Sequence, residues 1–321
     1  MMWARFSAAL IVMALAPAAA SQDYPAKPVR FVVGFTAGGA TDVAARIVAQ
    51  RLTESLGRTF VVDNRPGASG MIGAELVAKS PPDGYTLLVA PQTSQAVAPS
   101  LYPKIPYDPV RDFAPITVIA SSPLLLAVHP SVPVKTMKEL IALAKAQPGQ
   151  LTFGSGGAGT APHMTGELVN LLMGVKMVHV PYKGEAPGVR DLLAGQITLM
   201  FSTLPPLLPH VQAGKLRGIA VTSLKRPSTV PDIPTVAESG YSGFDVAAWF
   251  GLFAPAGTPR EIVNKLHAEV VRVISQPDVR EKIAVQGLFV VANTPDEFAA
   301  FLKAEIARWA KVVKESGAKS E

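Results

Sequence analysis

The chain has 321 residues, 49% hydrophobic and 17% charged, with no cysteine and a formal charge of +6. That apolar fraction excludes a disordered chain, and the length suffices for two medium domains or one large one with a full core. The missing cysteines exclude a disulfide scaffold, a thiol nucleophile, an iron–sulfur cluster and a thiolate zinc site.

At the front, Met1–Arg5 is a short basic start, followed by an apolar run over Phe6–Ala16 and small residues ending in Ala18-Ala19-Ala20. This is the layout of a secretory signal peptide over 1–20. The run is shorter than the ~20 residues of a membrane span, and Tyr24-Pro25-Ala26-Lys27-Pro28 cannot continue it as a helix. The mature chain is expected to begin near Ser21. No cysteine follows the cleavage site, so a lipid anchor there is not expected.

Downstream, the apolar pattern alternates between strand-like and helix-like periods. Val29–Phe35 reads as a buried strand, and Val43–Leu56 as a helix through Ile47, Leu52 and Leu56. Phe60–Asp63, Thr86–Ala90 and Ile116–Ala120 read as strands, and the apolar stretch Val118–Val128 as buried strand interrupted at Ser121-Ser122-Pro123. Thr136–Ala146 is a helix with a capping box, Thr136 at the cap and Glu139 three residues on. Leu151–Gly154, a helix over Pro162–Met173 and a strand over Val178–Val180 follow; Leu216–Thr222 and Ala247–Ala254 are strands. Two helices close the chain near Pro259–Ser275 and Pro295–Glu315. Each is expected to carry Thr at the cap (Thr258, Thr294), Pro first inside and Glu third (Glu261, Glu297). Strands alternating with helices indicate an α/β protein with mainly parallel sheets, whose ligands sit at the carboxyl ends of the strands.

Two glycine-rich loops each join a strand to a helix. One is Phe35-Thr36-Ala37-Gly38-Gly39-Ala40-Thr41-Asp42; the other runs from Gly154 to His163. Glycine permits sharp turns and close approach of backbone to ligand, and the following helix offers unpaired N–H groups to an anion. Neither loop holds a basic residue, and ordinary β–α turns are the alternative reading. Gly154, Gly156 and Gly159 also satisfy G-x-G-x-x-G, but no acidic residue stands where a dinucleotide site needs one: Val178-His179-Val180 occupies that place and Glu185 lies too far on. No G-x-S-x-G elbow occurs, and the five histidines are dispersed, which argues against a hydrolase and a histidine metal site. Lys and Arg are scattered, the most basic stretch being Lys225-Arg226, so no nucleic-acid partner is expected.

Several motifs together resemble the tripartite tricarboxylate transporter receptors, also called the Bug family. They are Phe31–Asp42, Asn64-Arg65-Pro66-Gly67-Ala68-Ser69-Gly70, Ser80–Leu87, Tyr107-Asp108-Pro109, Phe153–Glu167, Val180–Gly184, Gly214–Ser223, Asp232–Gly240 and Trp249–Pro255. The resemblance spans essentially the whole mature chain. It implies a two-lobed periplasmic binding protein of the type II, Venus-flytrap kind, each lobe a mainly parallel sheet flanked by helices. The expected layout is 21–121 plus 227–321 in lobe 1 and 122–226 in lobe 2, with crossings near Ser121–Leu124 and Leu224–Pro227.

By the same resemblance, the protein is a non-enzymatic receptor, without cofactor or metal and monomeric. It would bind a small carboxylate or related polar or aromatic acid and deliver it to the membrane subunits of a tripartite transporter. Carried over residue by residue, the ligand site is Thr36, Ala37, Gly38, Gly39 and Asp42 from one loop, and Ser155, Gly156, Thr160 and His163 from the other. Ser202 and Thr203 join them: Phe201-Ser202-Thr203-Leu204-Pro205 stands where many relatives read Phe-Asp-Asn-Leu-Pro, a departure that bears on ligand preference or only caps a turn. Asp42 is expected to complement the helix start, with ligand contact as the alternative. A sensor-coupled binding protein, an exported hydrolase and an NAD-dependent dehydrogenase are the competing functions. Dicarboxylates, tricarboxylates, aromatic acids and nicotinate-like molecules all suit such a site.

Overall fold

A computed structural model describes residues 24–320; the expected signal peptide lies outside the described residues. In chain order come β1 (Val29–Val33), α1 (Ala40–Leu56), β2 (Phe60–Asn64), α2 (Met71–Ala78), β3 (Thr86–Pro91), a π turn (Thr93–Val97) continued by α3 (Ala98–Leu101), and β4 (Phe113–Val128). There follow α4 (Met137–Ala146), β5 (Thr152–Ser155), α5 (Ala161–Met173), β6 (Val178–Pro181), α6 (Glu185–Leu193), β7 (Leu199–Thr203), α7 (Leu204–Gln212) and β8 (Arg217–Val221). The chain ends with β9 (Ala247–Pro255), α8 (Arg260–Ile274), α9 (Pro277–Val285), β10 (Phe289–Val290) and α10 (Pro295–Ser316).

The strands join in a 10-stranded sheet ordered β2-β1-β3-β9-β4-β7-β5-β6, with β8 and β10 also bonded to β4. β1 runs parallel to β2 and β3, and β5 parallel to β6 and β7, whereas β4 and β9 pair antiparallel with their neighbours. The expected α/β architecture is therefore present, with a parallel block on each side and antiparallel strands between them. Each block arises for a simple reason. β1 and β3 are nearly continuous apolar runs because both of their faces are covered. Ala45, Val48 and Leu52 of α1 supply one of those covers.

β4 holds the two blocks together. Residues 113–123 pair with β9, and from Leu124 onward the partners are β7 and β8. Pro123, which has no N–H to give to a ladder, sits where the partners change. The buried polar groups there are satisfied: Ser122 donates to the Gly287 carbonyl at 2.9 Å, and Thr222 Oγ1 accepts the Leu124 N–H at 2.8 Å. After β8 the Val236 N–H donates to the Val221 carbonyl and the Val246 N–H to the Thr222 carbonyl, before β9 starts at Ala247.

The capping boxes at Thr136/Glu139 and Thr294/Glu297 are both formed. The one expected at Thr258 is not. Its hydroxyl turns back to donate to the Pro255 carbonyl at 2.8 Å, and α8 starts after Pro259 without a side-chain cap. The last helix, α10, buries Phe298, Leu302 and Trp309 and packs against α5 as well as β4. The buried Glu305 carboxylate accepts both the Trp249 and Trp309 indole N–H groups, at 3.0 and 2.9 Å.

Candidate functional site

The carboxyl ends of the parallel strands from the two blocks face one another across a cavity of about 450 Å³. From the β1 side come Thr36, Gly38, Gly39, Ala40 and Thr41, with Pro91, Gln92 and Thr93 after β3 and Ala248 and Phe250 on β9. Across from them stand Gly156 and Thr160–Pro162 after β5, Gly184–Ala186 after β6, and Thr203, Pro205 and Pro206 after β7. A cavity this large accommodates a small organic molecule.

Its chemistry comes from helix starts. The N-cap residues of α1, α5, α6 and α7 are Gly39, Thr160, Gly184 and Thr203, and none of these side chains caps its own helix. All four helices direct their first turns at the cavity wall. Elsewhere α4 and α10 carry full capping boxes while α2, α8 and α9 also lack a side-chain cap, so what sets these four apart is that they meet at one cavity. An uncapped start leaves several N–H groups and about half a positive charge available to a ligand. No Lys, Arg or His lines the cavity among the described residues, and Glu185 is its one formally charged side chain.

Of the residues expected from sequence, Thr36, Gly38, Gly39, Gly156, Thr160 and Thr203 lie in this wall. Ala37 is exposed on its loop, outside the wall. Asp42, Ser155, His163 and Ser202 stand behind it, buried. Asp42 braces the first loop: Oδ2 accepts the Gly38 N–H and Arg46 Nε, each at 2.9 Å, and Oδ1 accepts Asn64 Nδ2 at 2.9 Å. Burial alone would push its carboxyl up. The hydrogen bonds from Arg46, Gly38 and Asn64 outweigh that and hold it below the usual range.

The second loop is braced in a different way. His163 Nδ1 accepts the Gly159 N–H at 3.0 Å, so its ring proton belongs on Nε2. The His163 ring stacks on His179 with centroids 3.8 Å apart, and His179 Nε2 lies 2.6 Å from the fully buried Ser155 hydroxyl. Burial, with the neighbouring His179, drives the His163 pKa down to about 3, and burial drives that of His179 down to about 4. Both rings are neutral near pH 7. They act as packed hydrogen-bonding posts under the loop. The serine–histidine contact faces the protein interior, because Ser155 Oγ also accepts the Gly157 N–H at 3.1 Å.

Two wall features escape the sequence reading. The loop after β6 ends at Gly184 and starts α6 with Glu185, whose carboxylate accepts Thr203 Oγ1 at 2.9 Å and the Thr203 N–H at 3.4 Å. Gln92, after β3, is 1% exposed and its amide has no partner. Ser202 and Thr203, both expected from sequence, end β7, which is not itself evident as a strand in the sequence. The available signal was a third strand–glycine–helix pattern, Val180-Pro181-Tyr182-Lys183-Gly184-Glu185.

Residues 44–318 match the profile described as tripartite tricarboxylate transporter family receptor. The chain belongs to that family. It is 40% identical over 306 residues to Protein BugT of Bordetella pertussis, covering 95% of this chain and 94% of that one. Among solved structures, Rpa4515 of R. palustris with adipate is 40% identical with a TM-score of 0.84, covering 93% of this chain and 100% of that one. MatC (Rpa3494) from Rhodopseudomonas palustris with bound malate is 34% identical with a TM-score of 0.80, covering 90% and 100%. The receptor described here thus shares its fold with periplasmic binding proteins of this family. None of its helices, among the described residues, is long and apolar enough to cross a membrane.

Proposed function

We propose that this receptor binds a small carboxylate in the 450 Å³ cavity and closes on it for delivery to the membrane subunits of a tripartite transporter. The observation that carries the reading is the convergence of the uncapped starts of α1 from one side and α5 and α6 from the other on a cavity without a basic side chain, the start of α7 being taken by Glu185. A carboxylate satisfies N–H groups from both sides only when the sides approach, so closure gains contacts that the open form lacks. The relatives bound to adipate and malate fit this chemistry.

On this reading the two lobes are 24–123 with 247–320, and 124–246. Thr36, Gly38, Gly39, Gly156, Thr160 and Thr203 touch the ligand, and Asp42, Ser155 and His163 hold the loops in shape. The protein is exported to the periplasm, works as a monomer and binds without catalysis.

The test is a thermal-shift screen of the mature protein, unfolded and refolded to strip retained ligand, against mono-, di- and tricarboxylates, aromatic acids and NAD. A ligand at 100 times its Kd adds about 2.7 kcal/mol of stability. Stabilisation by one carboxylate class supports the reading, and its loss in the double variant Gly39→Val, Gly156→Val locates the site. A Cβ at Gly39 meets nothing closer than the Thr36 carbonyl at 3.8 Å, so the fold tolerates a side chain there while the cavity does not. A silent panel, or undiminished binding by the folded double variant, rejects the proposal.

A further inference from the structure

We propose that Glu185 is the specificity residue of this cavity and restricts it to carboxylates that also carry a hydrogen-bond donor, an ammonium or a hydroxyl group. This rests on the carboxylate reading above and narrows it.

Glu185 is the one formally charged side chain in the wall, and no cation faces it there among the described residues. Its carboxylate already takes the Thr203 N–H and hydroxyl, so it occupies the start of α7 as a built-in anion. A ligand carboxylate cannot use that terminus. It is left with the start of α6 and those of α1 and α5, where the first and second glycine loops end. Gly156, beside those donors, is close to the same glutamate: a Cβ there would stand 3.2 Å from Glu185 Cγ. Whatever fills the cavity therefore meets Glu185.

Two kinds of ligand group respond to it differently. A second carboxylate beside the ionised Glu185 would face a like charge with no cation in the wall among the described residues, an unfavourable pairing. An ammonium or hydroxyl instead donates to the glutamate and lifts part of the penalty of its burial. Burial pushes the Glu185 carboxyl up from its ordinary value, partly offset by the bonds from Thr203 and Ser202, and a donor on the ligand would favour its ionised form further.

Gln92 is an independent sign that the wall awaits a polar ligand. It is 1% exposed, lines the cavity from the end of β3, and leaves both Nε2 and Oε1 without partners. Buried amides are almost always paired, and an unpaired one in a binding cavity marks a contact that the ligand completes. A neutral amide can serve both the carboxylate and the donor of the same molecule. The other walls, formed by Phe250, Leu288, Pro205 and Pro206, suit a short carbon chain between the two polar ends.

The experiment is calorimetric titration of the stripped receptor at neutral pH with matched probes: adipate, 6-aminohexanoate and 6-hydroxyhexanoate, and the set glutarate, 5-aminopentanoate and 5-hydroxypentanoate. The parent protein should bind a donor-bearing acid at least roughly tenfold tighter than the diacid of the same length, the scale of one hydrogen bond to a charged group. Glu185→Gln, checked for native circular dichroism, should erase or invert that ratio. A parent protein that binds a diacid as tightly as its amino and hydroxy counterparts overturns the proposal without need of any variant. So does a folded Glu185→Gln protein with an unchanged ratio. Failure of all six probes and of the wider carboxylate panel would reject the underlying carboxylate reading instead, which is a different result.

Discussion

The second glycine loop rests on two buried imidazoles, and this makes a sharp prediction about acid. His163 is folded with a pKa near 3, against about 6.5 in an unfolded chain. Between these values the unfolded chain binds more protons than the folded one, so stability rises with pH and falls as the pH drops below 6.5. At about pH 5 the unfolded imidazole is almost fully protonated and the folded one almost not at all, which costs about 2 kcal/mol of stability through His163 alone. His179, held down to about 4, adds in the same direction. Glu167 and Glu185 work against it, since burial raises both carboxyl groups and each then favours the folded form in acid. The comparison must therefore be between the parent and His163→Gln, whose amide oxygen can still accept the Gly159 N–H. Urea unfolding at pH 7 and pH 5 should show the parent losing about 2 kcal/mol more than the variant between the two. Equal losses would refute the reasoning. Ligand affinity of the folded protein should not fall through His163 between pH 7 and pH 5, because its Nδ1 stays free to accept the Gly159 N–H until the pH approaches about 3.

Two further changes test how the loops are braced. Asp42→Asn keeps the shape but removes the charge that Arg46 and the Gly38 N–H meet, and should cost about 1–3 kcal/mol in urea unfolding without changing the ranking of ligands; an altered ranking would place Asp42 in contact with ligand. Gly73→Ala would put a methyl group 2.8 Å from the Gly34 Cα, backbone that cannot move aside, where α2 crosses the end of β1; a loss of about 1–3 kcal/mol is expected, and an unchanged melting temperature would contradict the close approach.

Much of the fold was legible because its signals are local. The runs at Val29–Val33 and Thr86–Pro91 are nearly all apolar, the pattern of a strand covered on both faces. Thr136 and Thr294 announce their helices because each box closes within one turn. Thr258 presents the same letters and fails, because a carbonyl three residues back, at the end of β9, competes for its hydroxyl. The helices α6 and α7 were not legible. Pro187, Pro205, Pro206 and Pro209 make them look like loops, although a proline in a first turn costs a helix no hydrogen bond and only Pro209 lies deep inside one.

The candidate site divides along the same line. Glycine loops were visible, and the backbone groups that line the cavity, Gly38, Gly39 and Gly156, come from them. Which side chains of those loops face the cavity was not visible, because facing depends on what lies underneath. Ser155 and His163 are drawn inward by His179, a residue of the neighbouring strand β6 set beside β5 in parallel register. Glu185 has the converse history. In sequence it stands only as an acid too far on for a dinucleotide site, and it gains meaning when β7 brings Thr203 beside it. A wall assembled from seven chain segments lets each segment vary by itself, so a single substitution such as Glu185 can change what is bound while every glycine loop stays the same. On the proposed reading, ligand choice is then set by the residues between the loops.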